Sequence, residues 1–168
     1  LARFSEAFLV LRAMGSGIPI AWVPLVMVAM NLVYAVSAYP FGWLADKTSH
    51  MKLLVAGRAT LIASDIVLAH GTHWGAVLAG VVLWGLHMGM TQGLLATMVA
   101  HAAPARLRGT AFGFFNLLSG IVTLASSVTA GIFWDRMGPA ATFYAGAGFC
   151  CVTIVLLLLG QTRNRAAD

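Results

Sequence analysis

Long apolar runs, broken at nearly regular intervals by short clusters of charge and turn residues, set the pattern of this chain. Residues 18–44 carry no ionised side chain. At about 1.5 Å rise per residue, a helix of that length exceeds the ~30 Å hydrocarbon layer of a bilayer. Comparable runs cover 53–69, 75–103, 110–134 and 140–159, while 1–14 reaches only about two thirds of the way across. The pattern predicts five full membrane helices and the outer part of a sixth: an all-α polytopic helix bundle. Gly15-Ser16-Gly17 ends the first run, Pro19 suits the first turn of the next, and Pro24 and Pro40 predict kinks within it. His70-Gly71-Thr72-His73, Pro104 to Gly109 and Asp135 to Pro139 read as turns between later helices.

Composition sharpens this reading. Apolar residues make up 60% of the 168 and charged ones 9%, with a mean hydropathy of +0.89, whereas soluble domains carry about a quarter charged residues. Such a chain has no charged coat to present to water, so lipid is its solvent. The net charge of +5 does not gather on a soluble face and gives no reason to expect nucleic acid. Instead Lys47, Lys52, Arg106, Arg108, Arg163 and Arg165 fall on one side of the predicted spans, with Arg58 close enough to snorkel there, and Arg12 and Arg136 fall on the other. The positive-inside rule puts the base-rich side, with the 45–52 loop, the 104–109 loop and the C-terminus, in the cytoplasm. Trp74 and Trp134 suit the interfacial aromatic belt, and Asp65 falls near the outer interface.

Enzyme chemistry has no foothold. Neither Gly-x-Ser-x-Gly nor His-Glu-x-x-His occurs. Cys150 and Cys151 are adjacent within an apolar run and lack zinc or haem spacing, and His70 and His73 alone do not make a metal site. No catalytic residue, metal or cofactor is therefore expected. The first residues, interrupted by Arg3, Glu6 and Arg12, are unlike a signal peptide and read as the middle of something longer.

Between the first two full spans lies Gly42-Trp43-Leu44-Ala45-Asp46-Lys47-Thr48-Ser49-His50-Met51-Lys52. It resembles the signature loop of the major facilitator superfamily, Gly-x-Leu-Ala-Asp-Arg/Lys followed by more base, with Ser49-His50-Met51 where the family usually has Gly-Arg-Lys. Pro104-Ala105-Arg106-Leu107-Arg108-Gly109-Thr110-Ala111-Phe112-Gly113 is similar to the family's turn between helices ten and eleven, and Arg3 to Leu9 looks like helix seven of a bacterial subgroup. The resemblance covers essentially the whole chain. It implies helices seven to twelve, with helix seven cut short, as one six-helix half whose partner is an N-terminal half of the same protein. It also implies a secondary active transporter of a small solute in a bacterial inner membrane, working by alternating access and coupled to protons. Six helices alone are not expected to transport, because the cavity lies between halves. The rival reading is a non-transporting scaffold that uses the same fold.

Ionisable or polar residues inside a span are the candidates for the pathway. Arg3 and Glu6 share a helical face at a spacing of three, with Arg3 about 16 Å below the outer surface. By the resemblance their helix lines the cavity, where Glu6 would titrate and Arg3 hold its charge or an anionic group of the solute. A structural ion pair explains them as well. His87, Thr91 and Gln92 lie along the fourth span, on a different face from Gly85, Gly89 and Gly93, which form a close-packing stripe. Asn116, Gly120, Thr123 and Ser127 form a small polar stripe in the fifth, and Asn31 and Tyr34 stand in the second. Helix-to-helix hydrogen bonding accounts for these as readily as solute contact. A cytoplasmic gate is expected from Gly42, Asp46, Lys47, Lys52, Arg108 and Gly109, with Asp46 meeting Lys47, Arg108 or the helix start at Gly109. The alternative there is a solvated loop whose bases only orient the protein.

Overall fold

A computed structural model describes residues 4–165, with side chains over 4–160. The described residues form six helices: α1 Ala7–Gly15, α2 Val23–Lys47, α3 His50–His70, α4 Trp74–Ala102, α5 Arg108–Met137 and α6 Pro139–Arg165. Single 3-10 turns, Ile20–Trp22 and Ala105–Leu107, lead into α2 and α5. The all-α helix bundle expected from the apolar runs is the observed fold, and five of these helices are long and apolar enough to cross a membrane. They alternate in direction, so that Lys47, His50, Ala102, Arg108 and Arg165 share one end, called here the basic end.

The helices outrun the apolar segments that predict them. Nothing between Phe41 and Lys47 breaks a helix, so α2 continues through Gly42 and Asp46, and only Thr48 and Ser49 separate it from α3. Most of the expected 45–52 loop is therefore helix. Pro24 sits in the first turn, where its missing N–H costs nothing, and Pro40 is accommodated inside α2. At the far end of α5, Gly138 takes φ 89°, a left-handed conformation that costs glycine little, and its N–H donates to the Trp134 carbonyl before α6 begins.

In lipid, helices gain little from burying apolar surface against one another, so close packing and polar links decide which ones meet. The stripe Gly85 and Gly89 meets α2: a Cβ at Gly85 would lie 2.7 Å from the Met30 carbonyl oxygen, and one at Gly89 would strike the Ser37 hydroxyl. Gly93 has nothing within 4 Å. On the other side α4 meets α3, where the Ser64 hydroxyl donates to the Gly80 carbonyl at 2.7 Å and Gly80 makes room for Leu68. α6 covers the outer side of α3, and the Tyr144 hydroxyl bridges to His70 Nε2 at 2.9 Å.

The short α1 is held at both ends. Phe4 and Phe8 meet edge to face at 5.3 Å between centroids, Phe4 packs on Trp84 and Phe143 at 5.5 and 5.7 Å, and Phe8 packs on Trp134 at 5.7 Å. Trp134 is thereby half-buried, while Trp74 is 61% exposed. Arg12, which the sequence presents only as an outer charge, reaches across to the end of α3. Its Nε donates to the Leu68 carbonyl at 2.8 Å, and its terminal nitrogen donates to Ala69 at 3.3 Å and Gly71 at 2.7 Å. Those carbonyls have no partner inside the helix, and the negative end of the helix dipole favours a cation there.

Candidate functional site

Near the middle of the bundle α3, α4, α5 and α6 leave a cavity of about 410 Å³. Its lining includes Arg58, His87, Thr91, Gln92, Asn116, Ser119, Thr123 and Thr153, with Leu95, Phe115 and Val122 as the apolar part. Arg58 lies eight residues from the start of α3, about 12 Å along the helix from the basic end, and Thr123 about 22 Å along α5. These depths put the cavity within the hydrocarbon layer.

Three contacts build its α3–α4 wall. His87 is buried, and its Nδ1 lies 2.8 Å from the Gly57 carbonyl. A carbonyl only accepts, so Nδ1 carries the hydrogen, and in the neutral ring Nε2 is an acceptor. The Thr91 hydroxyl donates to the His87 carbonyl at 2.8 Å. Gly57 permits both, since a Cβ there would come within 2.6 Å of Thr91 Cγ2. Gln92 is half-buried beside them, and Asn116 reaches the same cavity from α5.

A second cavity, about 250 Å³, opens towards the basic end between α2, α4 and the start of α3. Tyr34, Gly42, Asp46 and His50 line it together with Gly89, Gly93 and Thr97. The small residues of α4 that press against α2 higher up therefore leave a space where Gly93 has no opposing side chain.

The expected pathway residues separate into groups. His87, Thr91, Gln92 and Asn116 are gathered on the larger cavity, and Tyr34, Gly42 and Asp46 on the smaller. Asn31 belongs to neither lining: it is exposed on α2, where its amide donates to the Met27 carbonyl at 2.8 Å. Lys47 lies over the Trp43 ring, 3.7 Å from its centroid, a cation–π contact within α2. Lys52, Arg108 and Gly109 are exposed. Glu6 is half-buried at the start of α1, and Arg3 falls outside the described residues.

Two charged residues have surroundings that the sequence did not show. Arg58 does more than snorkel, for its half-buried side chain lines the central cavity. Asp65, five residues from the outer end of α3, is 1% exposed, with neither oxygen accepting a hydrogen bond among the described residues. α6 closes over it at Gly146, where a Cβ would lie 2.8 Å from Asp65 Oδ2 and the same distance from Phe4 Cε1. Gly57, Ser119 and Thr153 were not singled out from the sequence; a glycine followed by an arginine inside an apolar span was the one available signal.

The Major Facilitator Superfamily model matches residues 7–167. The chain is 27% identical to an uncharacterised MFS-type transporter of Methanocaldococcus jannaschii, over 94% of this chain and 41% of that protein. It is 26% identical to the galactose-proton symporter of Escherichia coli K12, over 80% of this chain and 28% of the symporter. It is 33% identical to the human lysosomal dipeptide transporter, over 77% of this chain and 29% of that protein. The chain thus spans less than half the length of each of these relatives. No solved structure matches it significantly.

Proposed function

The chain belongs to the major facilitator superfamily and is an integral membrane protein; from that premise we propose that it forms one six-helix half of a secondary active transporter. The transporter carries a small polar solute by alternating access, coupled to protons, and a second helical half of the same protein completes the pathway. One observation carries this reading: a polar cavity about 410 Å³ in size at mid-membrane depth, lined by residues from four helices. A polar wall inside hydrocarbon is costly unless something wet or polar fills it. The galactose-proton symporter and the lysosomal dipeptide transporter among its relatives fit a polar cargo.

In this reading His87, Thr91, Gln92 and Asn116 contact the solute. Glu6, with Arg3, handles the coupling proton from α1. Asp46 acts as the gate at the basic end, where it shares a cavity with Gly42 and His50 and Lys47, Lys52, Arg108 and Gly109 supply the surrounding positive field. The excess of base at that end supports a cytoplasmic placement, in a bacterial inner membrane.

The test is solute uptake by the protein reconstituted in vesicles with an imposed pH gradient. Glu6→Gln should abolish gradient-driven accumulation while leaving solute exchange, and Asp46→Asn should slow turnover without lowering the amount inserted. Full gradient-driven accumulation by Glu6→Gln would remove Glu6 from the proton pathway.

A further inference from the structure

The carboxyl of Asp65 is buried without a hydrogen bond to either oxygen among the described residues, and its cover is built from two other helices. The position of a Cβ at Gly146 of α6 is 2.8 Å from both Asp65 Oδ2 and Phe4 Cε1, so α6 and the ring ahead of α1 close over the carboxyl together. Phe4 also packs on Trp84, whose indole nitrogen is buried with no acceptor among the described residues. A carboxyl lacking a donor and an indole N–H lacking an acceptor thus meet the same aromatic ring, and each is held at a cost in free energy. The titratable groups around Asp65 come from every neighbouring element. On its own helix Arg58 is seven residues back, roughly 10 Å along the axis, and His70 is five residues on, bridged to Tyr144 of α6. Cys150 of α6 lies in the electrostatic field of both Asp65 and Arg58. His87 of α4 is bonded through Nδ1 to Gly57, and Glu6 is half-buried two residues after Phe4. Among the described residues no three His, Cys, Asp or Glu side chains gather to hold a metal ion. The counter-charge that fits this enclosed carboxyl is a proton.

Building on the reading of this chain as proton-coupled, we propose that Asp65 is a proton-binding site covered by Phe4 and Gly146, and a second station for the coupling proton besides Glu6. With the cover in place the carboxyl keeps its proton. When Phe4 and α6 lift, the O–H bond breaks, the proton passes to water, and the carboxylate retains the electron pair in a wetted space. The covering ring stands two residues before Glu6, so one displacement of α1 acts on both carboxyl groups. Gly146 is required because any side chain there would meet Asp65 and Phe4 and hold α6 off the site.

Infrared spectroscopy of the purified protein as the cell makes it, in lipid vesicles at pH 7, tests this without a solute. A carboxylic-acid carbonyl band should be present and should be missing from Asp65→Asn, which keeps a neutral group of nearly the same shape. In deuterium oxide the band should shift as the proton exchanges, and raising the pH should remove it reversibly while circular dichroism shows the helices intact. Phe4→Ala, which opens the cover, should make the shift at least about tenfold faster. Absence of an acid band that depends on Asp65 overturns the proposal, because the carboxyl is then charged. A band that neither exchanges nor responds to pH until the protein unfolds also overturns it, because the acid is then a sealed structural group. Exchange no faster in Phe4→Ala than in the parent removes Phe4 from the cover and overturns the opening step. The coupled reading fails separately: an exchanging Asp65 acid in a protein without gradient-driven accumulation overturns proton coupling and leaves Asp65 as a proton-binding site.

Discussion

The glycines of α4 should respond to the same substitution with different signs. Replacing glycine by alanine in a helix interior gains up to about 1 kcal/mol of intrinsic helix propensity. At Gly93 nothing lies within 4 Å of the added methyl, so that gain should stand. At Gly85 the new Cβ would be 2.7 Å from the Met30 carbonyl oxygen and 3.0 and 3.1 Å from Val33 Cβ and Cγ1. A backbone carbonyl cannot rotate aside, so α2 and α4 must separate, and a gap of about 0.5–1 Å forfeits a quarter to a half of each dispersion contact along the seam. Overpacking of this kind costs about 1–3 kcal/mol, which exceeds the propensity gain over most of that range. Gly89 is intermediate: its Cβ meets the Ser37 hydroxyl, which can turn by giving up its bond to the Tyr34 carbonyl, and lies 3.0 Å from Ser37 Cβ and 3.3 Å from the Ala38 nitrogen, with no backbone atom as close as the Met30 oxygen is to Gly85. Thermal unfolding in detergent should therefore rank Gly93→Ala at or above the parent, Gly89→Ala below it and Gly85→Ala lowest. A Gly85→Ala protein that melts as high as the parent would refute the packing argument.

Arg12→Gln removes the cation from three carbonyl contacts at the end of α3. Charge-assisted bonds contribute about 1.5–3 kcal/mol each when isolated and less when shared; α1 should become more open to hydrogen exchange while the α3–α4 seam keeps its protection. Gly146→Ala should lower stability by about 1–3 kcal/mol in thermal unfolding, because its Cβ meets Asp65 and Phe4. Adding Asp65→Ala should recover much of that loss, and strictly additive effects of the two changes would show that they do not share the contact.

How legible the molecule was in its sequence depended on the kind of signal involved. Helix existence and order followed from apolar length alone, because a bilayer admits few other ways to satisfy the backbone. The packing stripe at Gly85 and Gly89 was readable, since small residues at a spacing of four form a flat face on any helix. His87, Thr91, Gln92 and Asn116 were readable as polar residues at membrane depth, but not as neighbours: α4 and α5 are brought together by the fold, and no periodicity within one helix reports on the other. Arg58 and Asp65 show the limit most clearly. Both are charges in the same apolar run, and one lines a cavity while the other is sealed under Gly146. Their difference is made by α6, roughly eighty to ninety residues further along the chain, and only a packed structure contains it.

The walls of the central cavity are not held equally. α4 buries ten residues and is locked to α2 and α3 by glycine contacts and by the His87–Gly57 and Ser64–Gly80 bonds. α5 buries only Ser126 and Ala130, and its bonds to other elements lie towards the end away from the bases. There the Thr142 hydroxyl donates to the Ala130 carbonyl at 3.1 Å, and the Ser5 N–H donates to the Ser127 hydroxyl at 3.0 Å. Asn116 lies ten residues before Ser126, about 15 Å along the same helix. Position and chemistry of this wall are thus set by different residues. Changes at Thr142 or Ser127 should alter where the polar stripe stands; changes at Asn116, Ser119 or Thr123 should alter which hydrogen-bonding groups it turns to the cavity.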